Sequence, residues 1–388
     1  MKVEFSRRLL ALPPYLFVEL DRAKREAKAA GKDIIDFGVG DPDLPTPPPI
    51  IEALTKAAQD PSNHRYALDQ GLPELRRAIA RWYERRFGVA LDPDTEILPL
   101  IGSKEGIAHL PLGLINPGDR ILVPDPCYPP YRSGTLFAGG EVVPLPLREE
   151  RQFLPDLPAL SPSQLRKARL LFLNYPNNPT GAVADKNFYE ETIDFCRRHS
   201  IMIASDAAYT EIAFDGYRPV SFLQAKGAKA VGVEFHSLSK TFNMTGWRIG
   251  FAVGRREIIG ALSKVKSNID SGIFQAIQLA GIFALEQGEA WVRRSNQIYE
   301  ERRDVLVRAL SSIGWRCPKP KATFYLWIPV PVRKGSTAFA KLLLKETGVV
   351  VTPGVGFGKT GEGYFRMTLT VPKERIEEAC ARLRRLLG

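Results

Sequence analysis

The sequence predicts an α/β protein with a mostly parallel central sheet flanked by helices, and three observations support this fold class. Five short apolar runs are typical of buried strands, at 97–101, 120–123, 170–174, 201–204 and 231–236. Each run is followed by a polar cluster, as expected where ligands bind at the carboxyl ends of the strands in an open sheet. Beyond residue 255 the pattern changes, and charged helices with shorter strands predict a smaller α+β lobe.

Composition and charge exclude several classes of protein. The chain has 388 residues, 44% of them hydrophobic, so it can bury a sizeable core. Charges near the start and the lack of a long apolar run predict neither a secretory signal nor a membrane anchor. Four cysteines without a C-x-x-C pair predict no metal site or disulfide framework, which favours the cytoplasm. The net charge of +11 is scattered, which favours small anionic substrates over nucleic acid.

The first 60 residues predict two helices around a short strand. Helical spacing over 14–30 stops at Gly31, a strand is expected at 34–37, and a second helix over 48–58 starts with proline. In the loop after the strand, Gly40 would let the backbone approach a ligand closely. An ordinary turn is the alternative interpretation of this loop.

The strand at 97–101 is followed by a glycine and by helical spacing over 107–114. A strand, a glycine and a helix start form the geometry in which free backbone N–H groups bind a phosphate. Ser103 and Lys104 are therefore candidate phosphate ligands, and Ser103 is also expected to be the N-cap of the helix. Farther along, Tyr128 lies in a loop stiffened by prolines, where its ring could stack on a ligand or pack in the core.

Two further strands end in candidate polar ligands. The strand at 170–174 leads to Asn178, and the strand at 201–204 leads to Asp206 and Tyr209. A carboxylate such as Asp206 can keep a pyridinium nitrogen protonated, and a tyrosine three residues later can donate to a phenolic oxygen. Both are functions that a pyridine cofactor would need.

The most informative segment is 231–250, in which a strand leads to Ser237, Ser239 and Lys240, with Arg248 eight residues after the lysine. Two hydroxyls and a guanidinium around one lysine suit an enzyme whose lysine forms a Schiff base with an aldehyde cofactor. The hydroxyls and Arg248 would then hold the phosphate of that cofactor. A lysine without this context would more often be a solvated surface residue. The pattern predicts pyridoxal phosphate.

The C-terminal lobe is expected to contain helices at 258–266, 278–310 and 373–387, with the second either continuous or interrupted. Strands are expected at Trp315, 322–328 and 348–352, and Arg366 is placed on a further short strand. A fixed guanidinium binds a carboxylate with two parallel hydrogen bonds, although a surface salt bridge is the plainer interpretation of Arg366.

These motifs resemble the fold-type I aminotransferases of class I and II along nearly the whole chain. The matching patterns are S-x-S-K-x-x-x-x-x-G-x-R-x-G around Lys240, N-P-T-G from Asn178, F-R-M-T around Arg366 and Y-x-x-x-x-G-x-x-x-L-R from Tyr66. The resemblance implies a large domain over 47–287 and a small domain formed by 1–46 and 288–388. It also implies a homodimer, because the tyrosine of the last pattern reaches the phosphate in the neighbouring subunit. By itself Tyr66 would more often be a packed tyrosine.

The resemblance assigns a role to each candidate residue. Lys240, Asp206 and Tyr209 would be catalytic, with Lys240 moving a proton between the α-carbon of the substrate and the cofactor. The cofactor-binding residues would be Ser103, Lys104, Tyr128, Asn178, Asp206, Tyr209, Ser237, Ser239, Lys240, Arg248 and Tyr66. The substrate-binding residues would be Arg366, Gly40, Asn178, Tyr15, Tyr128 and Lys104.

The expected substrates are amino acids and 2-oxo acids. The segments 38–47, 240–250 and 266–274 resemble one branch of the family, the bacterial LL-diaminopimelate aminotransferases, whose acceptor is 2-oxoglutarate. Their substrate carries a carboxylate and an ammonium at each end, so its far end needs mixed polar partners. The candidates for this contact are Asn268, Asp270, Ser271, Lys104 and Tyr15, although a solvated loop is an equally good interpretation of the first three.

Several alternatives stay open. An aspartate, alanine or methionine aminotransferase is the main one, because small pocket changes alter specificity by only about 1–3 kcal/mol per contact. A β-eliminating lyase or a cyclopropane-forming synthase would share every cofactor residue. A transcription regulator is disfavoured, because the segment before Tyr66 is too short for a DNA-binding module.

Overall fold

The computed structural model describes residues 3–12, 16–332 and 334–387. The helices are α1 (Arg7–Leu10), α2 (Leu16–Ala29), α3 (Pro48–Ala58), α4 (Pro73–Phe87), α5 (Ser103–Leu114), α6 (Pro130–Phe137), α7 (Pro162–Leu165), α8 (Lys186–Arg198), α9 (Leu238–Thr241), α10 (Arg256–Lys266), α11 (Gln275–Gln287), α12 (Glu289–Ser312), α13 (Ser336–Thr347) and α14 (Lys373–Leu387). The strands are β1 (Ile35–Asp36), β2 (Ile97–Leu100), β3 (Arg120–Asp125), β4 (Glu141–Pro146), β5 (Ala168–Asn174), β6 (Met202–Asp206), β7 (Gly232–Ser237), β8 (Gly250–Gly254), β9 (Tyr325–Pro329), β10 (Val349–Val350), β11 (Thr352–Pro353) and β12 (Tyr364–Thr368).

The central sheet has seven strands in the order β2-β8-β7-β6-β5-β3-β4. Six of them run parallel, because β8 alone is antiparallel to its neighbours β2 and β7. The five predicted strands are confirmed as β2, β3, β5, β6 and β7. Their side chains are almost entirely buried, which explains why they are continuous apolar runs in the sequence.

The register of the central strands brings their carboxyl ends to one level. Asn174 of β5 pairs with Asp206 of β6, which in turn pairs with Phe235 of β7. The segments that follow these strands therefore start side by side at one edge of the sheet. The two strands absent from the sequence prediction, β4 and β8, complete the sheet without contributing a predicted site residue.

A second hydrophobic core lies around smaller sheets. Strands β11, β12 and β9 form an antiparallel sheet in that order, and β1 pairs in parallel with β10. This core gathers side chains from both ends of the chain, such as Phe37, Leu306 and Leu383, and it also includes Tyr209. An α+β lobe is thus present, whereas the domain limits at 46/47 and 287/288 stay predictions.

The strand predicted at Trp315 is wrong. The backbone N–H of Trp315 donates to the carbonyl oxygen of Leu310 at 3.0 Å and so closes the end of α12. Its ring packs at the edges of Phe339 and Phe365 in the second core. Trp315 is therefore a single buried ring outside any strand, and its apolar character alone led to the prediction of a strand.

The long C-terminal helix is interrupted, which was one of the two forms expected. Gly288 separates α11 from α12, and a Cβ atom there would lie 2.4 Å from both the Ala284 carbonyl oxygen and the ring of Phe242. Only glycine fits this close approach, so the break occurs here. Across the described ranges, none of the helices combines the length and the apolar character needed to cross a membrane.

Candidate active site

A cavity of about 470 Å³ lies at the carboxyl edge of the central sheet. Polar side chains from five strand ends meet there, as the sequence predicted. The residues that line it are Ser103, Lys104, Tyr128, Asn174, Asn178, Asp206, Ala208, Tyr209, Ser237, Ser239, Lys240, Thr245 and Arg248.

Lys240 lies in the single turn of α9, directly after β7. Its ammonium group donates a 3.1 Å hydrogen bond to the carbonyl oxygen of Gly40. Burial lowers the pKa of Lys240 to about 8. The negative charge of Asp41 raises this pKa, but by less than burial lowers it. The positive charges of Arg248 and Arg366 lower it further. A neutral, nucleophilic amine is therefore well populated near physiological pH.

Asp206 is fully enclosed at the end of β6. It accepts a 2.7 Å hydrogen bond from the hydroxyl of Tyr131, whose ring stacks on Phe172 at 4.9 Å. Asn174 pairs with Asp206 across the two strands, and its side-chain amide donates to the carbonyl oxygen of Asp206 at 2.8 Å. Burial raises the pKa of Asp206 to about 6, against the lowering effect of the Tyr131 hydroxyl. The carboxylate is thus rigidly held and well suited to share a proton with a ring nitrogen.

The start of α5 also lines the cavity, through Ser103 and Lys104. Gly102 has φ +79°, and a Cβ atom there would lie 2.3 Å from a guanidinium nitrogen of Arg248. A Cβ atom on Gly250 would lie 2.8 Å from the backbone nitrogen of Ser103. These two glycines let Arg248 and the first N–H groups of α5 come together, which suits an anion.

The prediction that Ser103 caps α5 is wrong. Gly102 occupies the N-cap position, Ser103 is the first helical residue, and no side-chain capping bond is made. The hydroxyl of Ser103 is consequently not engaged by its own helix end. On the other side, Ser237 caps α9 and accepts a 3.3 Å hydrogen bond from the N–H of Ser239.

Arg366 lies on β12 and is buried against two aromatic rings. Its guanidinium carbon is 4.2 Å from the ring centre of Tyr325 and 4.7 Å from that of Phe357. It donates to the side-chain oxygen of Asn178 at 2.8 Å and to the carbonyl oxygen of Gly38 at 2.7 Å. The Nε atom of Arg366 is buried and has no hydrogen-bond partner in the part of the chain that the structure describes. A positive group with spare donor capacity is suited to a carboxylate.

Comparison with known proteins agrees with this geometry. The family model "Aminotransferase class I and II" matches residues 32–383. The chain belongs to the class I and II aminotransferases. It is 54% identical over 386 residues to the LL-diaminopimelate aminotransferase of Moorella thermoacetica, covering 99% of this chain and 98% of that protein. It is 56% identical over 381 residues to the one of Syntrophobacter fumaroxidans, covering 98% of each chain.

Solved structures also resemble the aminotransferase over nearly its full length. Substrate-bound BacF from Bacillus subtilis has a TM-score of 0.95 and 41% identity, covering 100% of this chain and 98% of that chain. A probable N-succinyldiaminopimelate aminotransferase from Thermus thermophilus has a TM-score of 0.90 and 40% identity, covering 95% and 99% respectively. The fold-type I architecture and the dependence on pyridoxal phosphate expected from the sequence are thereby confirmed.

The cavity of the aminotransferase fits this cofactor. Arg248, the serines and the start of α5 offer donors for a phosphate, and Asp206 offers an acceptor for a pyridinium N–H. Between them, Lys240 offers an amine of lowered pKa for an aldehyde. When bound, pyridoxal phosphate supplies that aldehyde and a ring that withdraws electrons from the substrate.

Two tyrosines of the aminotransferase site were not predicted from the sequence. Tyr131 holds Asp206, and Tyr325 places its hydroxyl 3.0 Å from that of Tyr209. Tyr325 also explains the glycine at position 40, where a Cβ atom would lie 2.1 Å from the Tyr325 hydroxyl. Tyr131 follows two prolines in the same segment as Tyr128, and this was a signal for its role. Nothing near Tyr325 in the sequence indicated the role of that residue.

Some predicted residues are not brought into this cavity. Tyr66 is 94% exposed on the described surface. Asn268, Asp270 and Ser271 do not contribute to the lining, and Asp270 instead forms an ion pair with Lys266. Tyr15 lies outside the described residues, so its predicted substrate contact stays a prediction.

Proposed function

We propose that this aminotransferase interconverts LL-diaminopimelate and 2-oxoglutarate with tetrahydrodipicolinate and glutamate, and that it forms LL-diaminopimelate from glutamate in lysine biosynthesis in the cytoplasm. The observation that carries the proposal is 53–56% identity, over almost the full length, to curated LL-diaminopimelate aminotransferases. Solved neighbours include an aspartate aminotransferase of Thermus thermophilus at 30% identity, a considerably weaker likeness.

Lys240 is the proposed catalytic acid and base. Its lowered pKa leaves the amine neutral often enough to accept a proton, and it can return that proton to a neighbouring atom. The carbonyl oxygen of Gly40 holds the amine by a 3.1 Å hydrogen bond. The direct hydrogen-bond partner of the amine is thus a neutral oxygen, and burial outweighs the raising effect of Asp41 on the pKa of Lys240.

Asp206 and Tyr209 are the proposed hydrogen-bond partners of the cofactor ring. Asp206 holds a proton at the ring nitrogen, and its own position is fixed by Tyr131. The hydroxyl of Tyr209 lies 3.0 Å from that of Tyr325 and is the proposed donor to the phenolic oxygen of the cofactor. Burial of Asp206 strengthens its interaction with a positive ring nitrogen, since the low dielectric screens it weakly.

Arg366 is the proposed ligand of the α-carboxylate. The hydrogen bond from Arg366 to Asn178 fixes the plane of the guanidinium, and stacking on Tyr325 restricts it further. Asn178 is in turn held through its backbone N–H, which donates to the side chain of Asn174 at 2.8 Å. A preorganised guanidinium reduces the entropy that carboxylate binding costs.

We propose a homodimer with shared active sites as the working form. The exposed side chains of Tyr66, Leu68, Ile269 and Phe274 have relative exposures of 94%, 62%, 54% and 39%. Large apolar side chains exposed together are typical of an interface. In such a dimer Tyr66 would reach the partner's phosphate, and the exposed segment around Asn268 and Ser271 would lie near the far end of the partner's substrate.

The test is a panel of amino donors with 2-oxoglutarate, scored by kcat/KM. LL-diaminopimelate should be the best donor. Lysine, which lacks the second carboxylate, and 2-aminopimelate, which lacks the second ammonium, should each lose about 10- to 100-fold, as expected for unpaired polar groups. If aspartate or an apolar amino acid is best, the substrate assignment fails while the aminotransferase remains. Turnover without a 2-oxo acid would instead indicate a β-lyase.

A further inference from the structure

The last residue of α10, Lys266, is completely buried outside the cavity. Its side chain is 0% exposed, forms an ion pair with Asp270, and lies 3.7 Å from a carboxylate oxygen of Glu105. Its ammonium also donates to the carbonyl oxygen of Ser271 at 3.0 Å. A lysine is buried this deeply only where its charge is matched, and here two carboxylates match it.

Glu105 connects this cluster to the start of α5. One oxygen of Glu105 accepts a 2.9 Å hydrogen bond from the backbone N–H of Ile101, across the turn 101–105 that leads from β2 into the first residues of the helix. The other oxygen lies 3.2 Å from Nδ1 of His109. Since Ser103 lies within this turn, Glu105 fixes the backbone whose N–H groups face the cavity.

Carboxylates and an imidazole in such proximity could also suggest a metal site. Ligand atoms of Glu105, His109 and Asp270 lie within 4.8 Å of one another. The ammonium of Lys266, however, already supplies a positive charge to both carboxylates. The cluster is therefore satisfied by a side chain of the protein itself.

The other side of the cluster fixes the segment 267–274 and, through it, the segment that carries Tyr66. Gly272 packs so closely on this segment that a Cβ atom would lie 2.2 Å from the carbonyl oxygen of Leu68. The buried amide of Gln278 donates to the Ile273 carbonyl at 2.6 Å and accepts from the Leu72 N–H at 2.7 Å. One buried cation thus joins the turn that is proposed to bind this subunit's cofactor phosphate to the segment whose Tyr66 is proposed to reach the partner's phosphate.

We propose that Lys266 is a positioning residue that holds the turn 101–105 and the segment 267–274 in the arrangement that binds the cofactor phosphate. The inference rests on the proposed function, since it requires that this turn binds phosphate. Without the ammonium, two carboxylates would face each other inside the protein, and the turn and the segment would move apart.

The experiment measures cofactor binding to the full-length protein in addition to activity. Lys266→Met and Asp270→Asn should raise the dissociation constant of pyridoxal phosphate roughly 10- to 100-fold, as for residues that orient the ligands of metal sites. At saturating cofactor and donor, kcat should stay within about twofold of the wild type, because Lys240 and Arg366 are not in contact with the cluster. The exposed Lys264→Met, on the same helix, is the matched control and should bind the cofactor like the wild type.

A second control separates positioning from general stability. Leu262→Ala removes a fully buried side chain of the same helix without touching the charges. If it weakens cofactor binding as much as Asp270→Asn at an equal loss of Tm, the inference is overturned. Should Lys266→Met fail to fold, Asp270→Asn still decides, because it preserves the shape of the side chain. A wild-type protein that does not bind the cofactor would refute the proposed function instead.

Discussion

The guanidinium of Arg366 donates a 2.8 Å hydrogen bond to the side-chain oxygen of Asn178. The two residues are 188 positions apart in the chain, and they belong to the small sheet and to the edge of the large sheet respectively. The proposed carboxylate ligand and a proposed cofactor ligand are therefore oriented by each other. Substrate and cofactor sites share this contact, so a change in one alters the geometry of the other.

Replacing Lys240 with alanine should abolish transamination and leave the protein folded. The change removes the amine with the three methylene groups that carry it, and it leaves the backbone of the short helix α9 intact. Wild-type protein should show a visible absorbance of bound cofactor, and borohydride should attach the cofactor to Lys240, as located by peptide mass analysis. Lys264→Ala is the control. Labelling at another lysine, or normal turnover by the variant, would refute the assignment.

Cofactor attachment to the cofactor-free protein should accelerate with rising pH. Burial lowers the pKa of Lys240 to about 8, so the protonated amine predominates below that pH and the neutral nucleophile above it. The rate constant, followed by absorbance after mixing, should rise through a midpoint near pH 8 and then level off. A midpoint near 10.5, the ordinary lysine value, would mean that burial does not affect this amine.

Arg366→Lys should reduce the stabilisation of the transition state for every amino donor. Lysine keeps the positive charge but loses the two parallel donors and the planar surface that stacks on Tyr325. A loss of about 1.5–3 kcal/mol, or roughly 10- to 100-fold in kcat/KM, is expected for a hydrogen bond to a charged group. The exposed Arg308→Lys should be unaffected. Equal kcat/KM values for both variants would exclude Arg366 as the carboxylate ligand.

Mixed dimers should recover activity if Tyr66 serves the partner's site. Tyr66→Phe removes one hydroxyl and should reduce activity by roughly tenfold or more, since a bond to a phosphate is charge-assisted. Dissociation and reassociation of Lys240→Ala with Tyr66→Phe should form hybrids with one site free of both changes. Each variant reassociated with itself is the control. A fully active monomer in sedimentation would contradict the shared site.

The parallel strands and most of the cavity could be predicted because each signal is local. A strand buried on both faces is a continuous apolar run, and Asp206 and Lys240 lie within a few residues of such runs. Long-range pairs leave no such signal. The hydrogen bond between Tyr131 and Asp206 joins residues 75 apart, and the one between Tyr209 and Tyr325 joins residues 116 apart. Strand β8, rich in glycine, also lacks the composition of a typical strand.

Tyr209 follows Asp206 by three residues, yet its ring packs in the second core, 5.5 Å from Phe324 and 5.4 Å from Tyr325. Asp206, by contrast, is anchored in the ladder of the central sheet. A rotation of one core against the other would therefore carry the hydroxyl of Tyr209 along with Arg366, while Asp206 and Lys240 stayed with the sheet. The two cores therefore meet at the proposed reaction centre, so that any movement of one against the other would misalign Tyr209 with Asp206 and lower the rate of the reaction.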